Sequence, residues 1–498
     1  MKIAPIDNPV RSSWLIEQGL RLDADTYVSD GYQTRKFIES QPNFDLLSEV
    51  TERIFHPGIF RRQWTNDPEY GVPFLGSAAI FQADLSSLPM ITRKSFEKTA
   101  GLPLEPGWTL ITCSGMTSGR VTYSRLNMDG HACGQDVIRA VPARDRISPG
   151  YLYTFLASRY GRAMIKGQVY GTSVKHIEPE QIADLPVLRL PFDLERDIDA
   201  LIREAMELRL NFNNGITEAT DDLFKSAGLS DLVTLRWHNE RDLDFHVSKA
   251  SATSLRAMNF APRARRIISR LQESPHTTLG EICEGGQLDR GNRFARVDSD
   301  PESGFRLVGQ RQGFWLRPEG RWIALKPAEE SMVRAADESI LVASQGTLGE
   351  NEAFCRPIFV TGRWQRDYVF SEHFLRITPG DPEFPGAYLF AFLRSEAMFR
   401  VLRSMSTGSK QQDIHEELRR NIPVPLCTPE DRQRIAETVR QAYRWRDEAD
   451  MKEDEALALL EQAVRGGSVG DGPDHRWRPP GQRCGTGDDR SPGEERSR

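Results

Sequence analysis

The stretch GQVYGTSVKHIEPEQIADLPVLRLP, residues 167–191, has a second version late in the chain, STGSKQQDIHEELRRNIPVP, residues 406–425. Each passes from a Gly/Ser/Thr turn through an isoleucine step to a Pro-Val segment, and a long helical pattern follows each. Gly171 matches Gly408 at a shift of 237, and that shift also matches Tyr151 with Tyr388, Ile177 with Ile414, Pro186 with Pro423 and Ile198 with Ile435. One offset serving five landmarks marks an internal duplication, so the function must be one that uses two similar units.

Upstream of the first motif, residues 53–150 break into short β-like runs separated by Gly and Pro, such as VPFLG (72–76), WTLITCSG (108–115) and GRVTYSRL (119–126). Short strands with frequent turn signals predict a compact, strongly bent β body. A helix is predicted over 149–165, with its proline at the start. A second β-rich body is predicted over roughly 283–380, where SILVASQGTLGEN (339–351) matches TLITCSGMTSGRV (109–121), and residues 386–405 repeat the helix. RLDAD (21–25) opens the first unit, and RDLDF (241–245) echoes it.

Downstream of the first motif, Leu194, Ile198, Leu201, Ala205, Leu208 and Phe212 are spaced 4, 3, 4, 3, 4. That is a heptad seam, which asks for another helix. Asn213-Asn214-Gly215 either breaks or weakens it. Residues 429–464 carry a second, poorer seam through Ile435, Val439, Ala442, Trp445, Ala449, Ala456, Leu460 and Ala463. The economical arrangement packs the two helices on each other, antiparallel, with the bodies at opposite ends of a rod. A helix of 25–30 residues is about 40 Å long, near the roughly 34–36 Å of one turn of B-DNA. Residues 465–498, rich in Gly, Pro, Arg and Asp, are expected to be disordered.

Composition narrows the classes. At 498 residues the chain exceeds one core, and 39% hydrophobic with 27% charged residues is ordinary for a globular protein. It has no run of eighteen apolar residues for a membrane span and no apolar core of a secretion signal at residues 1–14, so a cytoplasmic protein is expected. Six scattered cysteines without a CxxC pair read as reduced packing residues. A net charge of −6 is no footprint of a general polyanion binder, so any DNA contact needs local basic faces.

With these phrases in this order, twice, the chain resembles the specificity subunits of type I restriction–modification systems over about residues 14–464. The resemblance rests on GTSVKHIEPEQIADLPVLRLP, on TGSKQQDIHEELRRNIPVPL and on the strand-turn phrases LITCSGMTSG and LVASQGTLG. It departs where a Glu-Gln pair usually follows the motif's last proline, since Leu194-Glu195-Arg196 and Pro429-Glu430-Asp431 stand there. The resemblance implies an α+β fold with two pseudo-repeated, β-rich target-recognition domains separated by an antiparallel pair of long heptad helices. The segments would be 1–192 and 226–428 for the domains, 193–225 and 429–464 for the spacer helices, and 465–498 for the tail. It also implies double-stranded DNA as ligand and two DNA methyltransferase subunits as partners, with S-adenosylmethionine on the partner and none here. Motor-nuclease subunits would join for restriction.

Base edges are read by planar donors and acceptors and phosphates by cations, hydroxyls and amides. Residues 53–150 hold eleven Lys/Arg against eight Asp/Glu, so the first body is locally basic. The candidates there are Arg61, Arg62, Lys94 and Arg120, with Gln310, Arg311 and Arg317 in the second body. The paired turns add Thr172, Ser173 and Lys175, and Ser409, Lys410, Gln411 and Gln412, in loops that suit a phosphate or simply cap the next segment. On the resemblance, the heptad residues Leu194, Ile198, Leu201, Leu208, Ile435, Val439 and Trp445 become the partner-binding set. Catalytic and metal sites are expected to be absent. Asp23 and Asp25 read better as a cap or ion pair than as an acid/base pair, and His131 with Cys133, or His276 with Cys283, lacks ligand spacing. SGMTSGR lacks the Gly-Lys-Ser/Thr ending of a P-loop, and no Asn/Asp-Pro-Pro-aromatic phrase for base methylation occurs. Two rivals stay open: a methyltransferase or nuclease whose site goes unrecognised, and a scaffold with paired β bodies and no DNA contact.

Overall fold

The structure, a computed structural model, describes residues 10–17, 20, 22, 25–171, 175–234 and 254–467. Residues 468–498 of the expected tail and the RDLDF echo lie outside the described residues, as do Asp23, Thr172, Ser173 and Cys484, while residues 465–467 of that tail are helical.

Two bodies repeat one topology. In the first, helix α1 (Asp30–Glu39) precedes β1 (Phe44–Leu46), β2 (Thr51–Phe55), β3 (Trp64–Thr65), β4 (Gly71–Leu75) and β5 (Met90–Thr92). Then come β6 (Thr109–Thr112), β7 (Val121–Tyr123), β8 (Ala132–Cys133), β9 (Val137–Pro142), helices α2 (Pro149–Ala157) and α3 (Arg159–Gly167), and β10 (Pro186–Leu188). One sheet has the order β2-β9-β6-β7 and another β3-β5-β4-β8, while β1 pairs with β10. After the long helix α4 (Phe192–Ser226) the second body opens with α5 (Pro262–Gln272), β11 (His276–Thr278), β12 (Gln287–Arg290), β13 (Val297–Asp298), β14 (Phe305–Val308) and β15 (Arg321–Ala324). It continues through β16 (Ser339–Ala343), β17 (Pro357–Val360), β18 (Tyr368–Phe370) and β19 (Phe374–Thr378). Helices α6 (Gly386–Leu393) and α7 (Glu396–Ser404) follow, then β20 (Ser406–Thr407), β21 (Asp413–Ile414), β22 (Pro423–Pro425) and the second long helix, α8 (Pro429–Gly467). Its sheets are β12-β19-β16-β17 and β13-β15-β14-β18, with β11 on β22. Even the single parallel pairing recurs, Phe74 opposite Ala132 and Leu307 opposite Val369.

The shared offset has a physical counterpart. Tyr151 is fully buried and its hydroxyl donates to the Leu188 carbonyl at 2.5 Å; Tyr388, 237 residues on, donates to the Pro425 carbonyl at 2.8 Å. Each tyrosine thus ties its helix to the Pro-Val strand that launches a long helix.

The long helices run to 35 and 39 residues, roughly 52 and 58 Å. Asp193 and Glu195 in the first turn of α4 and Lys225 in its last suit the helix dipole, as do Glu430, Asp431 and Arg465 in α8. Helix α8 is also capped, Thr428 Oγ1 accepting from the Asp431 amide at 3.1 Å. The pair is antiparallel. Ile198, Ile202 and Met206 near the start of α4 share a core with Ala456, Leu460 and Val464 near the end of α8. Phe212, Ile216 and Leu223 share another with Ile435 and Val439. The helix continues through Asn213-Asn214-Gly215, because at Gly215 a Cβ would stand 3.0 Å from that of Ala442. The glycine is a point of close approach between the helices, not where one ends.

The bodies do not sit at opposite ends of a rod. Each packs against its own half of the helix pair, and the two meet at the middle. There the Ala83 amide donates to the Phe314 carbonyl at 2.8 Å and the Leu316 amide to the Phe81 carbonyl at 2.7 Å, around a Gln82–Trp315 antiparallel bridge. Arg394 pairs with Asp84 across the seam at 2.8 Å. Burial would raise the Asp84 carboxyl, but Arg394 holds it down to about 2. The rod expectation fails because both helices belong to both cores, leaving no bare stretch of spacer between the bodies.

At the centre of the pair Arg209, fully buried, reaches Asp450 at 2.5 Å and Glu453 at 3.0 Å. Burial works to lower its pKa, and the two carboxylates outweigh this and hold the guanidinium well above its ordinary range. Glu453 also accepts from the Tyr123 hydroxyl of the first body at 2.9 Å and from Arg317 of the second at 3.1 Å. One carboxylate therefore joins both bodies and both helices.

Candidate nucleic-acid interface

The two sequence phrases that repeat, the turn motif and the strand-turn after the central strand, lie against each other in both bodies. In the first, the Lys175 carbonyl accepts from the Gly115 amide at 3.0 Å and from Ser118 Oγ at 3.2 Å, and His176 bridges to Ser114. In the second, Gly346 and Gln412 pair as an antiparallel bridge, with the Gln412 amide donating to the Gly346 carbonyl at 2.8 Å. Gly171 and Gly408 take φ of 91° and 93°, a left-handed geometry that explains why glycine stands at both. The result is a repeated platform of turn upon turn.

Each platform is braced from beneath. Glu178 accepts from His56 at 3.1 Å and from His176 at 2.9 Å, and these bonds, that from His56 foremost, hold its carboxyl below the ordinary range. In the second body Gln310 grips both main-chain groups of Gln345, at 2.7 and 3.2 Å. Arg256 donates to the Gly408 carbonyl and, at 2.6 Å, to Gln412 Oε1. Sequence reasoning missed Arg256. Its only signal is a lone arginine in a run without apolar period.

Of the candidate readers, Arg61, Lys94, Arg311, Ser409, Lys410 and Gln411 are exposed. Arg62 is half-buried, 3.0 Å from Gln135 Oε1 and stacked 5.1 Å from the Phe74 ring centroid. Gln310 and Gln412 are bracing residues, their amides spent on the platform itself. Two arginines are engaged inside the fold. Arg317 lies among Glu453, Asp454 and Asp450, with its guanidinium turned to the helix pair and not to solvent-borne phosphate. Arg120 pairs with Glu319 at 2.8 Å and stacks 4.6 Å from the Trp315 ring, so it belongs to the seam between bodies. Burial lowers its pKa, against the pull of Glu319.

The heptad set divides in the same way. Ile198, Ile435 and Val439 are fully buried within the chain and cannot face a partner, because the two helices and both bodies consume that stripe. Leu194, Leu201, Leu208 and Trp445 stay half-buried. Five cysteines are buried and unpaired, and burial pushes the Cys113 thiol up to about 12, far from a reactive thiolate. Among the described residues no cluster of three His, Cys, Asp or Glu could hold a metal, and no helix is long and apolar enough to cross a membrane.

No family model and no curated protein matches the chain. Solved structures do. A type I restriction-modification S subunit from M. genitalium is similar at 12% identity, over 86% of this chain and 96% of that one, with a TM-score of 0.33. The HsdS subunit from Thermoanaerobacter tengcongensis matches at 13% identity over 86% and 97%, with a TM-score of 0.25. A chain from a structural study of complex assembly and conformational transition in the type I R-M system gives 13%, 86%, 100% and 0.25.

Proposed function

We propose that the chain is a non-catalytic DNA-recognition subunit. Each body reads one half of a split double-stranded target, and the subunit delivers two DNA methyltransferase subunits to it. S-adenosylmethionine belongs to those partners, and motor-nuclease subunits join them for restriction. The observation that carries this reading is the recurrence of one braced turn platform in both bodies of a duplicated chain. A bipartite duplex target needs two readers held at a set distance.

In this reading Lys175, Ser409 and Lys410 meet phosphates together with Arg61 and Lys94, while Gln411 and Arg311 reach base edges. Thr172 and Ser173, neighbours of Lys175 in the sequence, are assigned to the same phosphate-binding set. Leu194, Leu201, Leu208 and Trp445, half-exposed along the helix pair, are the apolar part of the methyltransferase face.

The deciding experiment is co-purification with any methyltransferase encoded beside the gene, followed by mapping methylated bases in the source genome with and without the chain. A split motif that vanishes on deletion is expected. Loss of no motif would end the methylation reading.

A second test addresses the platforms. Lys410→Ala and Lys175→Ala should each weaken binding to all duplexes alike and reduce the slope of log K against log salt by about 0.9 for every phosphate no longer neutralised. An unchanged slope would remove those lysines from the phosphate set.

A further inference from the structure

The seam between the bodies pairs each residue with its own counterpart. Phe74 and Leu307 hold the same register in the equivalent parallel pairings, which sets the local shift at 233. That shift takes Gln82 to Trp315, Phe81 to Phe314 and Ala83 to Leu316. The bridge joins Gln82 to Trp315, and Ala83 amide to Phe314 carbonyl is the image of Leu316 amide to Phe81 carbonyl. The pseudo-two-fold axis therefore passes through the ladder, as in an isologous contact between two subunits. It passes through the helix pair too, where Arg209 donates to the carbonyl of Arg446, its own counterpart at 237.

We infer that this ladder is a second ruler. The helix pair anchors each body along one flank, but the seam fixes the rotation of one body against the other, and so the gap between half-sites that the pair accepts. This rests on the recognition reading above. A gap changed by one base pair displaces a half-site by roughly 3.4 Å and turns it by roughly 35°. Meeting that change means parting the ladder, whose Trp315 is 4% exposed and whose Ala83 packs against the second body's core. Two amide donors would lose their partners in a buried place. Arg394 reinforces the closed state, since it holds Asp84 of the first body while donating to the Ile216 carbonyl of α4 at 2.9 Å.

The test uses the full chain in complex with its methyltransferase and duplexes whose half-sites are separated by the natural gap or by one base pair more or fewer. Ala83→Pro removes one ladder donor, and Arg394→Gln with Asp84→Asn removes the charge across the seam without touching the backbone. Wild type should discriminate against the altered gaps. Both variants should bind the natural gap with little change and lose about tenfold of that discrimination, the worth of one or two buried hydrogen bonds. If Arg394→Gln/Asp84→Asn and Ala83→Pro melt like wild type and keep full discrimination, the seam is no ruler. If wild type itself shows no preference for any gap, the recognition reading falls and the ruler with it.

Discussion

Replacing Arg209 by Met should cost the chain about 3–5 kcal/mol, because it removes the fully buried cation that two buried carboxylates share. Asp450 and Glu453 are 7% and 2% exposed. Arg317 approaches both from the second body, but at 3.9 and 3.1 Å and from a half-exposed position. Adding Asp450→Asn and Glu453→Gln to the Met variant should recover much of the loss, since the penalty lies in the uncompensated charge and not in the missing bond. Urea unfolding of the three proteins checks this, and equal losses for the single and triple variants would show that the charges are solvated after all. The sign with pH follows. Burial would raise the Asp450 carboxyl, yet Arg209 and Arg317 hold it below its ordinary value. Its contribution is therefore complete above the ordinary aspartate range, about 4, and disappears as the pH falls through the lower folded value. The wild-type chain should lose stability on that acid limb, and Arg209→Met should flatten it.

The second large effect is expected at Arg139. This arginine is fully buried in β9 with no carboxylate partner, donating to the carbonyls of Val137 at 2.6 Å, Gly134 at 3.0 Å and Cys133. Burial lowers its pKa. Arg376, 237 residues on in β19, repeats the device on the carbonyls of Arg334, Val333 and Phe370. In each body the guanidinium stitches the end of one sheet to the other. Their surroundings differ. Phe55 lies opposite Arg139 and stacks 5.7 Å from it, whereas Asp289 lies opposite Arg376 beside an open cavity of about 390 Å³. Arg139→Met should thus cost about 3 kcal/mol, leaving carbonyls dry and unmet. Arg376→Met should cost about 1 kcal/mol, because water entering the cavity can take over the freed carbonyls. Denaturation midpoints of the two variants decide it, and the reverse ranking would contradict the account.

These residues also show how far the sequence could be read. The duplication was legible because Gly171, Tyr151, Pro186 and their counterparts carry local duties that permit few residue types: a positive φ, a buried hydroxyl donor, a strand that launches a helix. The long helices were legible from apolar spacing. The seam was not. Its two ladder bonds are made by backbone, so Gln82 and Trp315, or Ala83 and Leu316, need share no chemistry. Arg209 was hidden for another reason. A charged residue beside a heptad stripe reads as solvent-facing, and only the acids at Asp450 and Glu453, some 240 positions away, make it interior. Arg317 misled in the same way, since a cation near aromatic residues looks like a DNA reader until its carboxylates appear. In the turns, the sequence located the platform but not which amides stay outside: Gln412 faces in and Gln411 faces out.

The interleaving of the two cores has a consequence for biosynthesis. The first body contains Ala456, Leu460 and Val464, almost the last described residues of the chain. At about 5–20 residues per second, the roughly 240 positions between the ends of the two long helices take about 12–48 s to emerge. Through that interval Ile198, Ile202 and Met206 lack the α8 residues that complete their core, so the nascent first half should be a client for chaperones. A chain that stops just before α8 has two unfinished bodies and not one finished one.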